Sequence, residues 1–310
     1  MGMTVDSADL FATSSELLAT ASHIAGAWKD EDATGSFLAR NLRTGEQFGF
    51  DITTPMPLAS VAKVPLALVV LDTIDSGEID GATMLTVDPS MSAVGSTGIT
   101  ILRHPVTMAV VDLVQQMLAV SDNAAADALL DLIGIDAVSA WLQRSHVENI
   151  DFRHNFARMF DVALGAAGND FTLAREMAVR EDAAAGRYAI ETLDPAKANT
   201  ATALALVDLL HRVWSDDIAN VRVTEQLRRM MSHQVFSQRL ASDLRTDSFR
   251  ISSKTGSFLN LRHEIGVVET DYGDQIAIAA LTRSSIPAMT QQNIDLAIGA
   301  AARLAVEALR

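Results

Sequence analysis

The chain has 310 residues, 49% apolar and 20% charged, which is material for one large domain or two modest ones around a substantial core. Its net charge of −15 repels phosphate backbones and anionic lipid surfaces, so neither nucleic acid nor a membrane is expected as a partner. There is no cysteine, hence no disulfide and no thiolate chemistry, and the redox compartment stays open.

Met1 to Asp6 contain no basic region and no apolar run of signal-peptide length, and no stretch approaches the roughly 20 apolar residues of a membrane span. The sequence points to a cytoplasmic protein, or to a secreted or periplasmic one if an export segment precedes it. From Ser7 to Trp28, Leu10, Leu17, Leu18 and Ile24 fall at helical spacing. Ser36 to Leu42 and Gln47 to Phe50 flank Arg43-Thr44-Gly45-Glu46 and predict a β-hairpin. Val61 to about Ile74 is apolar on every face, so a buried helix begins directly after Ser60. Residues 75 to 106 are punctuated by Gly, Ser, Asp and Pro and read as loops with short elements.

Helices are expected over Thr107–Ala119, Asn123–Leu132, Asp136–Gln143, Thr200–Val213 and Val223–Met231, with a weaker pattern over Ala174–Ala185. Arg250–Ser253, Glu264–Thr270 and Gln275–Thr282 read as strands, Asp271-Tyr272-Gly273-Asp274 as the turn between the last two, and Met289–Leu309 as a closing helix. Strands from both chain ends bracket a helical block. The expected fold is α+β and two-lobed: one antiparallel sheet flanked by terminal helices, with an inserted all-helical lobe. As one domain, the α/β lobe would take about 1–60 and 215–310 and the helical lobe about 61–214. A cleft between the lobes is the natural ligand site.

Three motifs stand in order: Ser60-Val61-Ala62-Lys63, Ser121-Asp122-Asn123 and Lys254-Thr255-Gly256. Each is weak alone; the ordered trio is specific. A serine hydroxyl needs a nearby base to act as a nucleophile at neutral pH. Ser60 and Lys63 lie one helical turn apart on one face. Burial in an apolar helix disfavours the charged form of Lys63 and makes it a better base. The helix N-terminus favours negative charge developing near Ser60. The bland alternatives are a helix cap beside a surface lysine, a capping Ser-Asp-Asn turn, and a strand ending in a turn.

With these motifs the sequence resembles the β-lactamase and penicillin-binding superfamily, class A in particular. The interval from Ser60 to Ser121, the run Arg43 to Ser60, the stretch Ala119 to Ala125, and Thr282 at a strand end extend the similarity over most of residues 35–145 and 198–310. The resemblance implies a serine acyl hydrolase with Ser60 as nucleophile, Lys63 as base and Ser121 relaying a proton to the leaving group. It implies Lys254 and Thr255 at a substrate carboxylate and Asn123 at the substrate amide. Gly256 would let substrate lie close, and the Ser60 and Ser257 amides would form the oxyanion hole. The substrate would be a small molecule, a β-lactam or related amide or ester, with no cofactor and no metal, and with antibiotic resistance as the associated role.

The family's deacylating glutamate, in an E-x-x-L-N pattern, is absent; its region reads Arg153-His154-Asn155-Phe156-Ala157-Arg158. Extra residues fall between about 150 and 198. There Glu191-Thr192-Leu193-Asp194 is the nearest substitute, which makes Glu191 the candidate base ahead of Glu176 and Glu181. Arg262 is the candidate arginine for a β-lactam carboxylate. A D-amino-acid peptidase or esterase, and a penicillin-acylated sensor without efficient turnover, are the alternatives. Zinc H-E-x-x-H, a P-loop at Gly95-Ser96-Thr97-Gly98 and a G-x-S-x-G elbow are excluded by missing residues.

Overall fold

The computed structural model describes residues 8–91, 94–180, 188–244 and 248–310. A six-stranded antiparallel sheet is built from both ends of the chain. Its strands are β1 (Leu10–Ala12), β2 (Ala33–Asn41), β3 (Gln47–Phe50), β9 (Phe249–Phe258), β10 (Leu261–Thr270) and β11 (Gln275–Ser284), in the order β1-β3-β2-β11-β10-β9. Short pairs between them are β4 (Met56–Pro57), β7 (Ile150–Asp151) and β8 (Thr200–Ala201) in one ribbon, and β5 (Met84–Val87) with β6 (Val106–Ala109) in another.

Both faces of the sheet are covered, which is why β10 and β11 are buried almost throughout. The two-residue repeat assigns side chains to opposite cores. Ile276, Ile278 and Ala280 join Trp28 of α1 (Ser15–Asp30) and Ile298 and Ala302 of α10 (Gln292–Leu309). Ala277, Ala279 and Leu281 face the helical lobe. That lobe contains α2 (Lys63–Asp75), α3 (Val110–Ala119), α4 (Asn123–Ile133), α5 (Ile135–Arg144), α6 (Phe156–Ala166) and α7 (Phe171–Ala178). The helix α2 runs through its centre: Val64 to Leu71 are all buried, each Leu or Val stabilising by about 1.5–3 kcal/mol. The helix α8 (Ala203–Trp214), expected in the helical lobe, lies against β2 and β11, and α9 (Val221–Ser232) bridges α2 and β9.

Several expected boundaries shift. Leu10 belongs to an edge strand paired with Phe50; the helix starts after Ser14, whose Oγ accepts the Leu17 N–H as an N-cap. Val106–Ala109 pairs with β5, so the expected entry of α3 is a strand. The segment from Phe156 is a helix capped by Asn155, and the weaker pattern begins at Phe171, three residues early. Its far end, with Glu181, lies outside the described residues. The strand expected over Arg250–Ser253 runs to Phe258 and carries the whole Lys254-Thr255-Gly256 motif inside it.

Candidate active site

Ser60 sits in a 3₁₀ turn, Ala59–Ala62, that leads straight into α2. At three residues per turn, positions i and i+3 fall on the same side, so Ser60 and Lys63 leave the turn on one face, and the Lys63 amine makes its hydrogen bonds to the Ser121-Asp122-Asn123 turn. The Lys63 N–H donates to the Ser60 carbonyl and closes the turn. Ala59 enters it with φ +47°, a left-handed conformation strained for a residue with a Cβ. Strand β9 crosses this turn closely: a Cβ on Gly256 would lie 2.8 Å from the Leu58 carbonyl oxygen and 3.1 Å from Val61 Cγ2. Gly256 therefore serves the approach of strand to turn. It is buried and does not line the ligand cavity, contrary to the substrate contact expected from sequence.

The Ser121-Asp122-Asn123 turn closes on Lys63. Its Nζ donates to the Ser121 carbonyl and to Asn123 Oδ1, both at 2.6 Å, and lies 3.4 Å from Ser121 Oγ. Two N–H groups thus go to acceptors that cannot donate in return. The amine's third polar contact, the longest, is with the Ser121 hydroxyl. Burial lowers the Lys63 pKa to about 7, against the opposing pull of Asp122 and Asp127. Asp122 points inward as the N-cap of α4, accepting from Ala124 and Ala125, and its second oxygen takes the Ile99 N–H at 2.7 Å. Gly98, at φ +68°, faces that carboxylate with no room for a Cβ. Asn123 Nδ2 donates to the Val94 carbonyl. The Gly95-Ser96-Thr97 segment is thereby pinned to the cavity rim.

The edge strand β9 forms the opposite wall. Thr255 N–H and Oγ1 both donate to Gln234 Oε1, at 2.6 and 2.9 Å. By the two-residue repeat the Ser257 N–H leaves the same edge. Gln234 in turn donates to Glu264 Oε1 and Ser253 Oγ. Glu264 is fully enclosed, and burial pushes its pKa up. Lys254 is fully buried, with Nζ donating to the Thr255 carbonyl; burial, then the charge of Lys63, drives its pKa well below the usual lysine range. Behind the strand, Arg239 is 2% exposed and binds four groups: Asp295 Oδ1, the Gly256 and His263 carbonyls, and Ser257 Oγ. His263 accepts the Thr282 N–H at Nδ1, so Nε2 carries the proton and donates to the Pro57 carbonyl, three residues before Ser60. Burial holds its pKa down to about 3.

Between the walls lies a cavity of about 520 Å³. Ser60, Ser121, Asn123, Thr255 and Ser257 all line it, while Lys63 and Lys254 stand behind its surface. Three sequence candidates behave differently. Glu191 is exposed and pairs with Arg158 at 3.2 Å and Lys197 at 3.6 Å; it does not line the cavity, because its 3₁₀ turn directs Thr192 and Leu193 inward instead. Glu176 is likewise exposed on α7 and off the lining. Arg262 does line the cavity, but Nη1 and Nη2 donate to the main-chain carbonyls of Leu259, Leu261, Ala288 and Met289, which leaves little of the guanidinium for a substrate carboxylate.

The segment that should hold a deacylating acid presents Phe156. Its ring centroid is 4.7 Å from Lys63 Nζ, in cation–π position. Asp127 fixes this ring by accepting the Phe156 and Ala157 N–H groups, and its own pKa is raised by burial to about 6. Sequence reasoning missed Gln234, Arg239, Glu264, Asp127 and Phe156. Only the last had a local signal, the N-capping Asn155 that starts its helix. Among the described residues no group of three or more His, Asp or Glu is arranged to hold a metal, and no helix is long and apolar enough to cross a membrane.

The fold and the three converging motifs define a serine-centred member of the β-lactamase type. Residues 19–309 match the model of the β-lactamase enzyme family, and the chain belongs to that family. A curated relative, the β-lactamase regulatory protein BlaB of Streptomyces cacaoi, is 37% identical over 290 residues, covering 89% of this chain and 93% of the relative. Among solved structures, a β-lactamase from Sphaerobacter thermophilus superposes with TM-score 0.74 at 21% identity, over 94% of this chain and 96% of the other. The penicillin-binding protein PBP-A gives the same TM-score at 18% identity, over 94% and 95%. These two likenesses describe the shared fold.

Proposed function

We propose that Ser60 is the nucleophile of an acyl-transfer site that reacts with β-lactams, or related amides and esters, and releases the acyl group slowly. The chain then recognises acyl donors more than it consumes them. In the acylation step the Ser60 O–H bond breaks as Oγ bonds to the donor carbonyl carbon, and the proton passes to neutral Lys63. The Ser60 and Ser257 amides take the oxyanion. When the carbonyl re-forms, the C–N or C–O bond breaks, and the leaving atom receives a proton through the Ser121 hydroxyl. Arg239 and Gln234 are positioning residues that hold β9 in place for this.

The observation that carries slow release is Phe156. Hydrolysis of the ester needs a base to deprotonate water beside the acyl carbon. The inserted segment offers Lys63 an apolar ring there, and Glu191 faces solvent. A relative described as regulatory supports the same reading. The test is mass spectrometry of the intact protein over time after mixing with benzylpenicillin. A stoichiometric adduct that persists for many minutes and is absent in Ser60→Ala supports the proposal. No adduct overturns it, and rapid turnover with no accumulated adduct restores an efficient hydrolase.

A further inference from the structure

The cavity has an electrostatic sign opposite to that of the molecule. The chain carries a net charge of −15, yet the described residues lining the cavity include Arg175 and Arg262 and no aspartate or glutamate. Arg262 is committed to four main-chain carbonyls, as described above. Arg175, half-buried on α7, makes one long hydrogen bond, 3.4 Å from Nη2 to Thr172 Oγ1, and no acid among the described residues pairs with it. A guanidinium lining a cleft with most of its donors unspent can meet an anion there.

Arg175 stands beside an aromatic wall. Phe160 of α6 meets Phe171 of α7 edge-to-face at 6.4 Å and Phe258 of β9 at 5.4 Å, and all three line the cavity. Asn260 Nδ2 donates to the Ala178 carbonyl and ties the end of α7 to the β9–β10 turn, which fixes this wall relative to Ser257. Along β9 and into the turn after it the lining changes from polar, at Thr255 and Ser257, to apolar, at Phe258 and Leu259. The three residue steps from Thr255 to Phe258 span about 10 Å, which separates the polar end of this wall from its apolar end.

We infer that the end of the cavity beyond Ser257 is a subsite for an aromatic acyl substituent bearing its own negative charge. Phe160, Phe171 and Phe258 hold the ring and Arg175 holds the anion. This rests on the reading of Ser60 as acyl acceptor, which orients the donor along β9. It gives the inserted segment a role: it selects the ligand. A preferred donor carries an anionic acyl substituent that reaches Arg175.

The test uses a matched pair of probes, benzylpenicillin and carbenicillin, which differ by one carboxylate on the arylacetyl side chain. Calorimetry on Ser60→Ala measures binding without chemistry, so its outcome is independent of whether the wild type is acylated. Carbenicillin should bind about five- to tenfold more tightly than benzylpenicillin. Adding Arg175→Gln should bring the ratio to near one while benzylpenicillin affinity stays the same. Phe171→Ala should weaken both probes alike. Equal affinities in Ser60→Ala, or a preference that survives Arg175→Gln, overturns the inference. Failure of the wild type to be acylated by either probe, with the binding preference intact, overturns the acyl-transfer reading alone.

Discussion

Phe156 and Lys63 are in face contact, ring to ammonium, at 4.7 Å. An aromatic face accepts no proton, so this contact supplies no base for water. Phe156→Glu would put a carboxylate beside Lys63. The expected outcome is adduct decay faster by roughly 10²-fold or more, the usual yield of a positioned general base. The lifetime of the penicillin adduct by intact-mass spectrometry checks it; an unchanged lifetime with a folded protein would show that the ring is not what delays hydrolysis.

The pH profile should report Lys63. Its neutral form is the base and predominates above a pKa of about 7. The acylation rate should therefore rise about tenfold per pH unit below 7 and level off above it. Lys63→Arg keeps the charge, removes the base, and should lower the plateau by about 10²–10⁴-fold. Between pH 7 and 10.5 the unfolded chain binds a proton at this lysine that the native chain does not, so this group makes stability rise with pH over that window. Lys254 acts in the same direction. Stopped-flow acylation and denaturant midpoints across that range measure the two effects separately.

Gly256→Ala tests the approach of β9 to the nucleophile turn. The new methyl would meet the Leu58 carbonyl at 2.8 Å, a backbone atom with little freedom to yield. A loss of about 1–3 kcal/mol in stability is expected, with slower acylation because the Ser257 amide is displaced from Ser60. A midpoint and a rate both equal to wild type would contradict the packing described.

Arg239→Met keeps bulk but leaves Asp295, two carbonyls and Ser257 Oγ without their buried partner. The cost should be about 3–5 kcal/mol. Arg239→Lys, which retains the pairing with Asp295, should recover part of the stability and less of the acylation rate, because one ammonium cannot span all four groups. Urea unfolding and adduct formation, measured on both variants, separate fold from positioning.

Glu191→Gln should change little. Its partners are exposed, and such pairs contribute about 1 kcal/mol or less. Adduct lifetime should match wild type. Slower decay would place this carboxylate in the chemistry after all.

Local turns, the sheet built from both chain ends and the ordered trio of motifs could be read from sequence; single residues that act only through packing could not. Ser60 and Lys63 are three residues apart, so turn geometry alone puts them together, and the all-apolar run behind them announces a buried helix. Asp122 inside its own capping turn was legible for the same reason. Gln234, Arg239 and Glu264 were not: each is an ordinary residue type, and its role exists only because β9, β10 and the segment after α9 meet. Glu191 shows the reverse error. Its neighbours looked like a family pattern, but one residue of phase in a 3₁₀ turn decides which side chain faces inward, and here Thr192 and Leu193 do.

The segment from Arg153 to Asn199 leaves and rejoins the body at adjacent points. Asn199 Oδ1 accepts the Arg153 and His154 N–H groups, its Nδ2 donates to the His154 carbonyl, and Asp151 pairs with Thr200. Beyond that neck the segment reaches the reactive amine through Phe156, β9 through Phe160 and the β9–β10 turn through Ala178. The segment thus shapes the cavity wall through Phe160 and Arg175 and the surroundings of the Lys63 amine through Phe156, so a change in it is felt by ligand choice and chemistry together.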